Sequence, residues 1–111
     1  MQTEEAQKGK TTAIVAYLTL VGCLIAITMN LEPKNTFARF HIRQAFGIHI
    51  LFHAMAIVAT YAGIAVASAT TVLYLLYMAM WIFGFVQALN LSTKPLPFLG
   101  PLFQKWFTFI N

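Results

Sequence analysis

The chain has 111 residues, of which 59% are hydrophobic and 9% charged, with a formal net charge of +4. Ordinary soluble domains carry about a quarter charged residues, so composition excludes a water-surrounded globule and leaves little room for an extramembrane domain with its own core. Asp is absent and the carboxylates are Glu4, Glu5 and Glu32, so no nucleophile with a base and an orienting acid can be assembled, and a non-enzymatic protein is expected.

The predicted class is all-α, a polytopic membrane protein with three transmembrane helices and a short C-terminal interfacial helix. Residues 1–11 read as a polar N-terminal tail and 12–111 as a single membrane domain. The first span covers about 12–29. Its Leu20-Val21-Gly22-Cys23 matches a lipoprotein cleavage box, but Leu24-Ile25-Ala26-Ile27 stays apolar, so an uninterrupted helix is the reading adopted. Cys23, the sole cysteine, has no intrachain partner. Asn30 to Asn35, with Pro33, reads as a loop.

Asn35 or Thr36 can cap a second helix running from Phe37 to about Ala67, roughly 46 Å at 1.5 Å per residue. A hydrocarbon core is about 30 Å thick, so Phe37 to Gln44 is placed at the headgroups, with Arg39 and Arg43 snorkelling outward, and the span at about 45–67. Ser68-Ala69-Thr70 is the expected break before a third span at about 71–89. After Asn90, Pro95 and Pro97 favour an extended linker. Pro101 suits the first position of an interfacial helix at about 102–110, where Trp106, Phe103, Phe107 and Lys105 would lie flat on the membrane.

Along the second helix His41, Ala45, His49, His53, Ala56, Thr60, Gly63 and Ala67 recur at steps of three and four, tracing one stripe. The third helix has a corresponding row in Tyr74, Tyr77, Trp81, Gly84 and Ala88. Polar and small residues inside a membrane face protein or water rather than lipid. The candidate packing or pathway residues are therefore His49, His53, Thr60, Gly63, Tyr74, Tyr77 and Trp81. Histidines four residues apart can reach one metal ion, but zinc sites want three or four protein ligands and no carboxylate is near. Nothing in the spacing selects haem either, so hydrogen bonding across helices is the simpler reading, with no metal or cofactor expected.

Arg39 and Arg43 share one face of the second helix at its start, where the helix dipole disfavours cations. Arg39, Phe40, His41 and Arg43 form the candidate contact with a lipid headgroup or a partner. Gly9-Lys10-Thr11 lacks the rest of a phosphate-binding loop, and Asn90-Leu91-Ser92 abuts the membrane on the cytoplasmic side, where it would not be glycosylated. Lys34, Arg39, Arg43, Lys94 and Lys105 outnumber Lys8 and Lys10 across the three spans. Positive charge is retained inside, so the C-terminus is expected in the cytoplasm and the N-terminus outside.

The segment Phe37-Ala38-Arg39-Phe40-His41-Ile42-Arg43-Gln44-Ala45 resembles the Phe-x-Arg-Phe-His signature of the chloroplast inner-envelope protein-import component family, the Tic-twenty-like proteins, and of their small bacterial relatives. The likeness continues through Gln87-Ala88-Leu89-Asn90 and Lys94-Pro95-Leu96-Pro97-Phe98-Leu99-Gly100, covering about residues 12 to 105. The resemblance implies a helical protein of a bacterial inner (plasma) membrane with a role related to protein translocation, and it marks Arg39, Phe40 and His41. The plant proteins are usually described with four spans, and three are read here. The expected function is a non-enzymatic integral membrane component of a larger assembly. Its partners would be a bilayer with anionic headgroups and other membrane subunits or further copies of itself, with no nucleic acid. The alternative is a small oligomeric permeation or transport protein using the polar stripe of helices two and three.

Overall fold

The computed structural model describes residues 2–31, 35–63, 67–93 and 99–110. These residues form five helices, α1 (Gln2–Leu18), α2 (Leu20–Met29), α3 (Thr36–Tyr61), α4 (Ala67–Leu89) and α5 (Leu99–Trp106), and among them there is no strand. Glu32, Pro33 and Lys34 of the expected loop, and residues 94–98 of the expected linker, lie outside the described residues.

The stretch read as a polar tail is the first half of α1. It is rich in good helix formers and contains no proline. Ala6, Gly9, Ala13, Ala16 and Tyr17 recur at one-turn intervals and are all buried. The single span expected at 12–29 is instead two helices that meet at Thr19. Thr19 is extended (φ −156°, ψ 175°), and its Oγ1 accepts the Gly22 N–H at 3.0 Å, which caps α2.

α1 and α2 run in opposite directions along α3. Gly9 lies beside Ala38, and Ala16 accepts a hydrogen bond from His49, so α1 ascends with α3. Cys23 donates to the Ile42 carbonyl at 3.7 Å, and the Asn35 N–H donates to Asn30 Oδ1 at 3.0 Å, so α2 descends. The pair is a hairpin, and its closure depends on Gly22, where a Cβ would stand 2.5 Å from the Val15 carbonyl oxygen. The chain's first helix therefore starts at the same end of the molecule as α3, not opposite it as three successive spans require.

Asn35 caps α3, its Oδ1 accepting the Ala38 N–H at 2.9 Å. The first half of α3 is enclosed, with Phe37, Ala38, His41, Ile42, Gln44, Ala45, Ile48 and His49 buried. Beyond it the helix emerges, and Met55, Ile57, Val58 and Tyr61 are exposed. Gly63, at φ +74°, takes the left-handed conformation that commonly follows a helix end. α4 starts at Ala67, so Ser68 to Thr70 are helical and the chain turns before them. α4 returns antiparallel to α3, pairing Tyr77 with His49 and Ser92 with His41. Its own first half exposes Val72, Tyr74, Leu75 and Leu76.

The molecule measures 49 × 23 × 21 Å, its length set by the α3–α4 hairpin projecting from a packed end. Both helices of that hairpin are long and apolar enough to cross a membrane, and no Asp, Glu, Lys or Arg occurs between Arg43 and Lys94. α5 crosses the packed end. Phe103 is buried over Gly47, Phe107 meets Phe46 edge to face at 4.9 Å, and Gln104 Nε2 donates to the Phe40 carbonyl at 2.8 Å. The helix begins at Leu99, so Pro101 occupies its third position, still within the turn whose N–H groups lack intrahelical acceptors. Leu102, Trp106 and Phe109 remain exposed.

Because the α1–α2 hairpin has no space for a methyl group at Gly22, Gly22→Ala should destabilise the protein by about 1–3 kcal/mol. Thermal unfolding in mild detergent checks this, and an unchanged midpoint would mean that the hairpin can open without loss.

Candidate functional site

The polar side chains inside the packed end form one network centred on Tyr17. His41 Nε2 lies 2.7 Å from the Ser92 carbonyl oxygen. A carbonyl only accepts, so Nε2 carries the proton and Nδ1 is left as an acceptor. Tyr17 donates its hydroxyl hydrogen to that Nδ1 at 2.7 Å, and its oxygen accepts from Gln44 Nε2 at 3.0 Å. About two turns further along α3 the pattern repeats. His49 Nε2 donates to the Ala16 carbonyl at 3.2 Å, and its Nδ1 accepts from the Tyr77 hydroxyl at 3.0 Å. Trp81 Nε1 donates to the Tyr17 carbonyl. Among the described residues no buried side-chain nitrogen or oxygen is left without a partner.

Backbone geometry prepares one arm of this network. Leu91 has φ 57°, a conformation unfavourable for a side chain of its size. The Ser92 N–H reaches back to the Gln87 carbonyl at 2.8 Å and the Leu91 N–H to that of Ala88 at 3.2 Å, closing α4. That closure aims the Ser92 carbonyl at His41, so a conformation costing about 1–2 kcal/mol is held where it satisfies a buried imidazole.

The residues expected along the hairpin separate into two groups. His49, Tyr77 and Trp81 come together around α1. His53 is exposed, with Nδ1 2.7 Å from the His49 carbonyl of its own helix, which leaves Nε2 as an outward-facing acceptor. Thr60 is exposed and donates to Ala56 in its own helix at 2.9 Å. Gly63 forms the turn, and no atom stands within 4 Å of where its Cβ would be. Tyr74 is exposed beside Phe52, which stacks on Tyr77 at 4.2 Å. An apolar groove of about 530 Å³ opens between the outer halves of α3 and α4, with Thr60 and Tyr74 in its wall.

The Arg-Phe-His segment also divides. His41 faces inward, fully buried, with Phe37 and Phe40 edge-on to its ring at 4.8 and 5.1 Å. Arg39, Phe40 and Arg43 line a second cavity on the other side of α3. Both nitrogens of His41 and both of His49 are committed to protein partners. Among the described residues no three His, Cys, Asp or Glu side chains gather in one place. No family model, curated protein or solved structure matches the chain.

Tyr17 and Gln44 are absent from the residues singled out by sequence. A lone tyrosine within an otherwise apolar first segment was the available signal, since an intramembrane hydroxyl needs a partner. Removing the Tyr17 hydroxyl breaks two hydrogen bonds, to His41 Nδ1 and from Gln44 Nε2, whereas removing that of Tyr77 breaks one, to His49 Nδ1. With roughly 0.5–1.5 kcal/mol lost per hydrogen bond, Tyr17→Phe should lower thermal stability in detergent clearly more than Tyr77→Phe. The reverse order would remove Tyr17 from the centre of the network.

Proposed function

We propose that this chain is a non-enzymatic subunit of a bacterial inner (plasma) membrane that inserts α3 and α4 as a hairpin and uses their outer halves to join other membrane subunits. The observation that carries this reading is the projecting hairpin. Its helices leave the packed end with apolar side chains exposed around them and a groove between them, and His53 turns an acceptor nitrogen outward. Lipid cannot satisfy that nitrogen, whereas a neighbouring helix can. The resemblance of residues 37–45 to protein-import components supports an assembly related to protein translocation.

On this reading there are two spans rather than three, and the α1–α2 hairpin enters from the charged side and returns to it. Lys8, Lys10, Arg39, Arg43 and Lys105 then share one face of the membrane, while the hairpin tip carries no charge. Positive-charge retention places that face, with both chain ends, in the cytoplasm. Permeation is the weaker reading because His49 and Tyr77 are bonded to each other and do not line the groove.

Fusions at either end should report from the cytoplasm, while a Tyr61→Cys variant should react with an impermeant maleimide from outside. Ends reporting from opposite sides would remove the two-span hairpin. Association is tested separately by placing a photo-cross-linking residue at Ile57 and irradiating intact membranes. A discrete protein adduct is expected, and labelling of lipid alone would overturn the subunit reading.

A further inference from the structure

The cavity beneath Arg39 and Arg43 lies outside both the buried network and the hairpin. It has a volume of about 310 Å³ and is lined by Thr36, Phe37, Arg39, Phe40, Arg43, Thr93 and Gln104, from the start of α3, the segment after α4, and α5. That volume is at the lower end of ligand pockets, which run from about 300 to 1,000 Å³. Three separate chain segments border it, so it is more than one helix face.

Its electrostatics are one-sided. Arg39 and Arg43 are four residues apart, on one side of the helix, and repel each other. Arg43 gives Nε to the Ile110 carbonyl at 3.0 Å and Nη2 to the Thr108 carbonyl at 3.4 Å. Those neutral acceptors fix the guanidinium in place while leaving its charge uncompensated. Neither arginine forms an ion pair among the described residues. The α3 terminus supplies no explanation, because Asn35 already takes the N–H groups of Ala38 and Arg39. The guanidinium fork of Arg39 and the remaining N–H groups of Arg43 line one polar cavity and suit a tetrahedral anion, whose oxygens accept several such hydrogen bonds at once.

The surroundings indicate where that anion comes from. α5 borders the cavity and carries Leu102 and Trp106 exposed beside Lys105, the mixture of side chains suited to a membrane surface. We infer that this cavity binds a phosphoryl anion, supplied by an anionic phospholipid headgroup, with Arg39 and Arg43 as its ligands. This inference concerns a site away from the outer hairpin and stands whether or not the hairpin joins other subunits.

The test uses the full chain, purified in mild detergent and freed of lipid, with thermal unfolding followed against added short-chain phosphatidylglycerol, short-chain phosphatidylcholine or inorganic phosphate. Saturable stabilisation by phosphatidylglycerol is expected, at least tenfold weaker in apparent affinity for Arg39→Gln. Arg39→Lys, which keeps the charge and loses the fork, should fall between. Lys105→Gln, outside the cavity, should respond as the wild type does. Arg39 forms no side-chain hydrogen bond among the described residues, so its variants test the site even if Arg43→Gln releases the C-terminal segment and fails to fold. Equal stabilisation by inorganic phosphate at the same concentration would support the phosphoryl site but assign it to free phosphate. Equal stabilisation by phosphatidylcholine, no response to any anion, or an unaltered response in Arg39→Gln would overturn the proposal.

Discussion

The packed end depends on a hydroxyl group. Tyr17 stands between α1 and α3, donating to His41 and accepting from Gln44, while its backbone carbonyl takes the indole N–H of Trp81 from α4. Three helices are thus tied through one residue, and each tie gives a polar group inside the packed end a hydrogen-bond partner. Apolar contacts alone would not fix the rotation of α1, because its inward face is mostly alanine and glycine. Small residues allow close approach without specifying a register, and directional bonds from Tyr17 and to the Ala16 carbonyl supply it.

The helical class and the polar character of α3 are legible in the sequence, since long apolar runs, the Asn35 cap and the proline punctuation all act locally. The hairpin at Thr19 is not. Leu18-Thr19-Leu20 lacks proline, and threonine at a helix start looks no different from threonine within a span until Gly22 meets Val15. The helical state of residues 2–11 is hidden for a related reason. Its buried positions are Ala6 and Gly9, too weakly apolar to produce a periodic signal beside eight polar neighbours. Those two features convert an expected anchor into the element on which α3 is built.

The candidate stripe shows a different limit of pattern reading. Spacing identifies residues that share a side of α3, but the partners on that side change along its length. At the level of His49 the neighbours are α1 and α4, and every nitrogen is used. One turn later α1 has ended, and His53 faces outward. In the Arg39 to Arg43 segment the division runs around the helix instead, with His41 enclosed and the two arginines opening onto a cavity. A sequence pattern contains neither boundary, because both are set by where another helix stops.

The bonds that close the packed end also differ in how far along the chain their partners lie. Tyr17 and His41 are separated by 24 residues and Ala16 and His49 by 33, whereas Gln104 and Phe40 are separated by 64. During synthesis the first three helices can assemble as soon as α3 has emerged, before either α4 or α5 exists. α5 is then the last piece to arrive, fastening an arrangement whose orientation has already been decided. The amino-terminal segment is consequently in place to pack against α3 as soon as that helix has been made, before the partners that follow it exist.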